Sequence, residues 1–348
     1  MKEKIIQAII DNKDRIPSEN IGLFDGKMGV CFALYCAYLE NNHTYIEEIA
    51  DDMLDEVIMK MNNMSDLSFS NGLMGIGWAI NRLHMESCVQ GDIDDVLYNI
   101  DALLYRALTK NNSSFADSTF NLLCSLIYIT DRLSNPRHSD SSVQHLLDVS
   151  MLRLIVNKFS EKMPSFLLDI NHDVAPHVSC EHSVLFFYLE KVMRLGMCNS
   201  QIDNMMMNWE VQLCTSVPFF NINKLSFACA LESLNSSLKH QQITRHVKCI
   251  LYSIDRFAIL KEIKLNVHCI STGWGYATWV LSNAVKIFPS NDETLLLRNV
   301  RFAILRRGFK ALSLMLNKNS QLNISLVSGL SGILLLFNLI TRSKLDFD

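Results

Sequence analysis

The sequence predicts an all-α fold, an α/α toroid (barrel) of seven helical hairpins, with seven inner and seven outer helices in one domain over residues 1–348. Three observations predict it. A G-x-x-G-[IV] turn recurs at the head of apolar runs, as Gly26-Lys27-Met28-Gly29-Val30, Gly72-Leu73-Met74-Gly75-Ile76 and Gly329-Leu330-Ser331-Gly332-Ile333. Amphipathic and apolar segments alternate along the chain with a period of roughly 40 to 58 residues, the mark of a repeat architecture. No alternating strand pattern of useful length appears.

The first outer helix is Lys2 to Arg15, with Ile5, Ile6, Ile9 and Ile10 on one face. Its inner partner follows the first glycine turn. The second outer helix, Thr44 to Asn63, repeats Ile46, Ile49, Ala50, Met53, Leu54 and Val57 at three and four, with acids opposite. The second glycine turn opens the inner helix Leu73 to Leu83. The third pair is Asp92 to Lys110 and Phe115 to Leu133. There Ser113, Ser114 and Ala116 stand where the other heads have glycine. The fourth is Ser142 to Met163, stopped by Pro164, with Val178 to Leu195. The fifth is Gln201 to Cys214 with Lys224 to Leu238, and Met205-Met206-Met207 reads as core and boundary packing. The sixth is Gln241 to Leu260, followed by the stretch Leu265 to Tyr276 and an inner helix to Ile287. The seventh is Glu293 to Leu316, whose Arg298, Arg301, Arg306 and Arg307 form a solvated basic face, with Leu330 to Ile340.

All six prolines fall between helices on this reading, as the cost of about 3 kcal/mol for an interior proline requires. An open solenoid needs polar end caps. The final helix is among the most apolar, so the last repeat is expected to pack against the first.

The bulk numbers bound the function. Hydrophobic residues make up 49% of the 348, enough for a large core. The 32 basic and 36 acidic residues leave a net charge of −4, and no basic stripe with interleaved aromatics occurs, so nucleic-acid binding is not expected. The N-terminus lacks a signal-peptide centre, and the longest apolar run is too short for a membrane span. A cytoplasmic protein is expected. Its ten cysteines then read as reduced thiols, most of them small core residues.

Seven hairpins with these glycine turns resemble the lanthionine synthetase C-like family. The resemblance implies thioether cyclisation in lanthipeptide biosynthesis, a Michael-type addition of cysteine to dehydrated serine or threonine in a ribosomal precursor peptide. A dehydratase is the implied partner enzyme. It also implies a zinc ion held by two cysteines and one histidine at the heads of the fifth and sixth inner helices. Zinc coordination deprotonates the thiol, and the thiolate is the nucleophile. Here the chain departs from the family. The sixth head reads Ser271-Thr272-Gly273 in place of Cys-His-Gly, and the fifth head, Phe219 to Ser226, has no cysteine. The nearest thiol, Cys229, falls inside the helix. Whether zinc is bound at all is therefore open.

His177 matches the family's proton-transfer histidine without its glycine. His268, Cys269 and Cys180, with His172 and His182 nearby, are the candidates for a displaced metal site; ordinary loop and core residues are the alternative. Asp25, Asp173, Trp274 and Tyr276 are candidates for contact with substrate at the mouth of the ring, the two acids reading otherwise as helix caps and the rings as packing. Two further readings stand beside cyclisation: a catalytically degenerate member that binds peptide or a partner enzyme, and a toroid hydrolase on sugars. The last needs paired carboxylates at the mouth, which the heads scarcely offer.

Overall fold

The computed structural model describes residues 1–110, 114–136, 143–170, 181–263, 273–288, 291–317 and 322–342. The fold is all-α, with seventeen α-helices and no strand among those residues. In chain order they are α1 (Lys2–Asn12), α2 (Lys27–Asn41), α3 (Thr44–Met61), α4 (Leu73–Met85), α5 (Ile93–Thr109), α6 (Ser114–Asp117), α7 (Thr119–Leu133), α8 (Val143–Ile170) and α9 (Glu181–Arg194). They continue as α10 (Asn199–Asn208), α11 (Glu210–Thr215), α12 (Asn221–Leu238), α13 (Gln241–Tyr252), α14 (Arg256–Glu262), α15 (Gly273–Ile287), α16 (Asn291–Leu316) and α17 (Leu330–Arg342). No helix among the described residues is long and apolar enough to cross a membrane.

The chain forms two compact units. One comprises Met1–Ile100, Leu265–Tyr276 and Leu305–Asp348; the other comprises Asp101–Lys264 and Ala277–Ile304. In the first unit α2 lies along α3 and also packs on α4. The amphipathic face read in α3 is the buried one, with Ile46, Ala50, Met53, Leu54 and Val57 at 5% exposure or less. Each such aliphatic side chain removed from water contributes about 1.5–3 kcal/mol. The expected meeting of last repeat and first is present: α17 packs on α2 and α1, burying Leu330, Ile333 and Leu334. Trp274 and Phe309 meet edge to face in the same unit, and Phe337 stacks on Phe309.

In the second unit α7 packs on α8 and α9, and α12 packs on α9, α13 and α14. Asn235 joins two of these. Its Nδ2 donates to the His240 carbonyl and to Thr244 Oγ1, and its Oδ1 accepts from the His240 N–H, closing the turn from α12 to α13.

Four boundaries correct the sequence reading. Pro164 does not stop the fourth outer helix; α8 runs through it to Ile170. Proline has no N–H to give the carbonyl four residues back, here that of Ser160. That orphaned acceptor takes a hydrogen bond from the Trp209 indole Nε1 at 3.3 Å. A tertiary donor thus replaces the missing helical one. The fifth outer helix breaks into α10 and α11 at the same Trp209, whose backbone sits at φ −111° and ψ 10°. The sixth breaks into α13 and α14, because Asp255 restarts the helix by accepting from the N–H groups of Phe257 and Ala258. Ser118 divides α6 from α7 in the same way, accepting from the N–H of Asn121.

Trp209→Phe keeps the ring and removes the donor, leaving the Ser160 carbonyl unpartnered inside the α8–α10 contact. The expected loss is about 1 kcal/mol, read as a lower urea midpoint at unchanged slope. An unchanged midpoint would show that the Ser160 carbonyl finds water instead.

The cysteines divide more evenly than the sequence suggests. Cys31, Cys124 and Cys229 are buried, and burial pushes the Cys124 thiol up to about 12. Cys249 is exposed, because its place on α13 lies off the Ile243–Val247–Ile250 face.

Candidate functional site

The glycine heads are built by a loop whose sequence is spelled three times: Asn20-Ile21-Gly22-Leu23-Phe24-Asp25-Gly26, Asp66-Leu67-Ser68-Phe69-Ser70-Asn71-Gly72 and Asn323-Ile324-Ser325-Leu326-Val327-Ser328-Gly329. In each, the carbonyl of the opening Asn or Asp accepts from the first helical N–H. The donors are Lys27 at 3.0 Å, Leu73 at 2.8 Å and Leu330 at 2.9 Å. The side chains of Asp66 and Asn323 accept from the N–H two residues on, at 2.8 and 2.9 Å, as Asx turns do. The Nδ2 groups of Asn20 and Asn323 reach across their loops to the carbonyls of Asp25 and Ser328.

The glycines are there for closeness. A Cβ on Gly29 would lie 2.0 Å from the Leu23 carbonyl oxygen, and one on Gly75 would lie 1.9 Å from that of Phe69. The loop crosses directly over the first turn of its helix, and only glycine leaves room.

The three loops also join edge to edge. Phe24 donates its N–H to the Ser70 carbonyl at 2.7 Å and accepts at its own carbonyl from Leu326 at 2.9 Å. The last repeat is thereby tied to the first and the first to the second by main-chain bonds centred on Phe24. Asp25, Asn71 and Ser328, each just before the helix-opening glycine, are exposed. Asp25 is held by its N–H to Asn71 Oδ1 at 3.4 Å. No side chain caps the start of α2, so its carboxylate is not the cap that its position suggests.

Trp274 and Tyr276 are buried, at 0% and 6% exposure. The Trp274 ring lies where a Cβ on Gly308 would come within 2.6 Å of it. His182 sits in the first turn of α9 against the Phe166 ring, its Nε2 2.8 Å from the Phe166 carbonyl. A carbonyl only accepts, so Nε2 carries the proton and is no metal donor in this arrangement. His172, Asp173, His177, Cys180, His268 and Cys269 lie outside the described residues.

The head of the fifth inner helix, α12, is closed by a protein carboxylate. Glu262 accepts from the N–H groups of Asn221 and Ile222 at 3.1 and 3.2 Å, and from Asn221 Nδ2 at 2.6 Å. Those amides are orphan donors at the positive end of the helix dipole, where an anion is favoured. Asp255 fastens the start of α14 to the same Asn221 through its N–H, at 2.9 Å. Phe219 stands just outside, 73% exposed and edge-on to Phe220. Cys229 is buried eight residues into the helix and offers no thiol at its head. Among the described residues no three His, Cys, Asp or Glu side chains come together in a way that could hold a metal ion.

Residues 2–144 match the family model described as lanthionine synthetase C-like protein. Over that span the chain is similar to lanthionine synthetase C-like proteins. The match takes in the first two glycine heads with α2 and α4, and the third pair without its glycines. No curated protein matches the chain. The matched stretch therefore contains two of the three hydrogen-bonded loops, and the third, Asn323 to Gly329, lies beyond it and bonds back to Phe24.

Asn20, Asp66, Asn323, Glu262 and Asp255 were not singled out by the sequence reading. The first three had a signal there: an Asn or Asp six residues before the first glycine, with Gly or Ser between. Glu262 had none, since its partners are 40 and 41 residues away.

Proposed function

We propose that the chain acts in the maturation of ribosomal peptides, closing thioether rings by adding a cysteine thiol to a dehydrated serine or threonine. The observation that carries this reading is the match of residues 2–144 to the lanthionine synthetase C-like model, over heads built as one repeated loop. In the reaction the thiolate sulfur bonds to the β-carbon of the dehydroamino acid. The double-bond pair moves to the α-carbon as an enolate, and the proton given up by the thiol returns to that carbon. His177 is assigned the proton transfer. A zinc ion, when bound, would supply thiol activation. One imidazole and two thiolates, from His268, Cys269 and Cys180, form a donor set zinc accepts. Asp25 at the first head and Asp173 before the fourth are assigned to the peptide backbone or its polar side chains.

The head of α12 favours a second reading, in which the chain binds a precursor peptide or a dehydratase without catalysing ring closure. That head has no thiol, and Glu262 already fills its donor groups.

The test uses the full chain with a model peptide holding one cysteine and one dehydroalanine. Ring closure is followed as loss of the thiol to alkylation, since the ring and open forms have equal mass. Cyclisation predicts a rate above the uncatalysed background, reduced at least tenfold in His177→Ala, the low end of what a positioned acid–base group contributes. Elemental analysis should find about one zinc per chain, lost in Cys269→Ala. Peptide binding at the background rate would leave the second reading.

A further inference from the structure

The first unit carries a groove that the proposed chemistry does not use. Its long wall runs from Lys4 on α1 to Arg15 just beyond that helix, and Leu316, Asn317 and Leu322 form the other wall. Its volume is about 510 Å³, inside the roughly 300–1,000 Å³ typical of ligand sites. Lys4 and Arg15 are exposed, and neither has an ion-pair partner among the described residues. A stripe of α16 leads into the same groove. Asn317, Lys310 and Arg306 are spaced by seven and four, which places them on one helical face. Lys310 and Arg306 are also exposed and unpaired among the described residues, and the stretch 305–316 contains no acid.

The hydrogen bonds select the occupant. Asp11 is the one acid among the lining residues, and Gln7 Nε2 donates to it at 2.7 Å. Asn12 Nδ2 donates to the Ala8 carbonyl, also at 2.7 Å. Both amides therefore keep their oxygens, which only accept. A phosphate chain has no N–H to offer them, whereas a peptide backbone offers one at almost every residue. Asp11 would repel a dense run of phosphates, and carboxylates spaced along a chain can pass on either side of it. Ala8, Leu316 and Leu322 give the groove an apolar part suited to the side chains between them. From Arg306 to Asn317 the stripe is about 16 Å long at 1.5 Å per residue. About five residues of extended peptide cover that distance.

We propose that the groove and the α16 stripe form a docking site for an acidic peptide segment bound in extended form. Its carboxylates pair with Lys4, Arg15, Lys310 and Arg306, and its backbone N–H groups donate to the Gln7 and Asn12 amide oxygens. The site stands whether or not the chain closes rings.

The experiment is fluorescence anisotropy of the full chain with a labelled ten-residue peptide of alternating glutamate and alanine. Binding should be saturable and should weaken as salt rises from about 50 to about 300 mM. Lys4→Glu combined with Arg15→Glu should weaken it roughly tenfold or more, since each exposed ion pair is worth up to a few-fold and reversal adds repulsion. Lys310→Glu should weaken it by a smaller factor. Lys248→Glu, an exposed reversal on α13, is the control for net charge and should leave the affinity unchanged. Circular dichroism checks that each variant is folded; if the double reversal is not, Lys4→Gln and Arg15→Gln replace it. No binding of the peptide would overturn the proposal. So would equal losses in Lys248→Glu and the groove variants, or equal affinity for the peptide with glutamine in place of glutamate. Binding of a single-stranded DNA oligomer or of phosphatidylserine vesicles as tight as that of the peptide, and weakened by the same groove variants, would also overturn it.

Discussion

Gly75→Ala is expected to cost roughly 3 kcal/mol or more and to deplete the soluble folded protein. The added Cβ would sit 1.9 Å from the Phe69 carbonyl oxygen and 2.9 Å from its carbon, with Leu23 Cβ at 3.1 Å behind. Overpacking a well-filled site costs about 1–3 kcal/mol when side chains can give way. Here the nearest obstacles are backbone atoms. The Phe69 carbonyl belongs to a loop fixed at both ends, by the Leu73 N–H on Asp66 and by the Ser70 carbonyl on Phe24. It cannot withdraw without breaking the ladder between the first two heads. Gly196→Ala is the control. A Cβ there meets nothing within 4 Å, and the only penalty is a backbone at φ +74°, about 1 kcal/mol. Urea unfolding followed by circular dichroism compares the two. Equal midpoints would mean that the loop does not lie over the first turn of α4, and the account of the glycine heads would fall with it.

Arg132→Leu should be comparably severe, about 3–5 kcal/mol, because removing one partner of a buried pair leaves the other charge uncompensated. Here it leaves Asp101, fully enclosed. The loss should also depend on pH. At pH 5.5 Asp101, already raised to about 7 with Arg132 present, takes a proton and the damage is partly relieved. At pH 8 the protein must either hold the charge or bind a proton against the solution. The urea midpoint of the variant should thus fall further below wild type at pH 8 than at pH 5.5. A deficit equal at both values would show that the lost contacts of the Arg132 stem, and not its charge, set the cost.

How much could be read beforehand follows from which forces are local. The helices and their buried faces were legible because periodicity is written within each segment. Ile46, Ala50, Met53 and Val57 mark one side of α3 without reference to anything else. The glycine heads were legible because a close approach admits only one residue type, and it was spelled out repeatedly. The breaks in the outer helices were less so. Asp255 and Ser118 are ordinary capping residues in polar surroundings, and nothing local distinguishes a cap in use from a solvated side chain.

The sequence by itself determined the helical class, the alternation of amphipathic and apolar helices, and the turns that open them. It also placed the candidate chemistry at His177, His268, Cys269 and Cys180, by likeness to a family and not by geometry. Only the tertiary structure decided the rest, because each remaining feature joins groups far apart in the chain. Pro164 stays inside α8 because Trp209, at the break between α10 and α11, takes the carbonyl that the proline leaves. The first head is locked by Ser70 on one side and Leu326 on the other. Arg132 lies in the core because Asp101, 31 residues away, meets it there. A hydrogen-bond donor or a charge carries no mark in the sequence of the partner it will find, and burial makes that partner decisive.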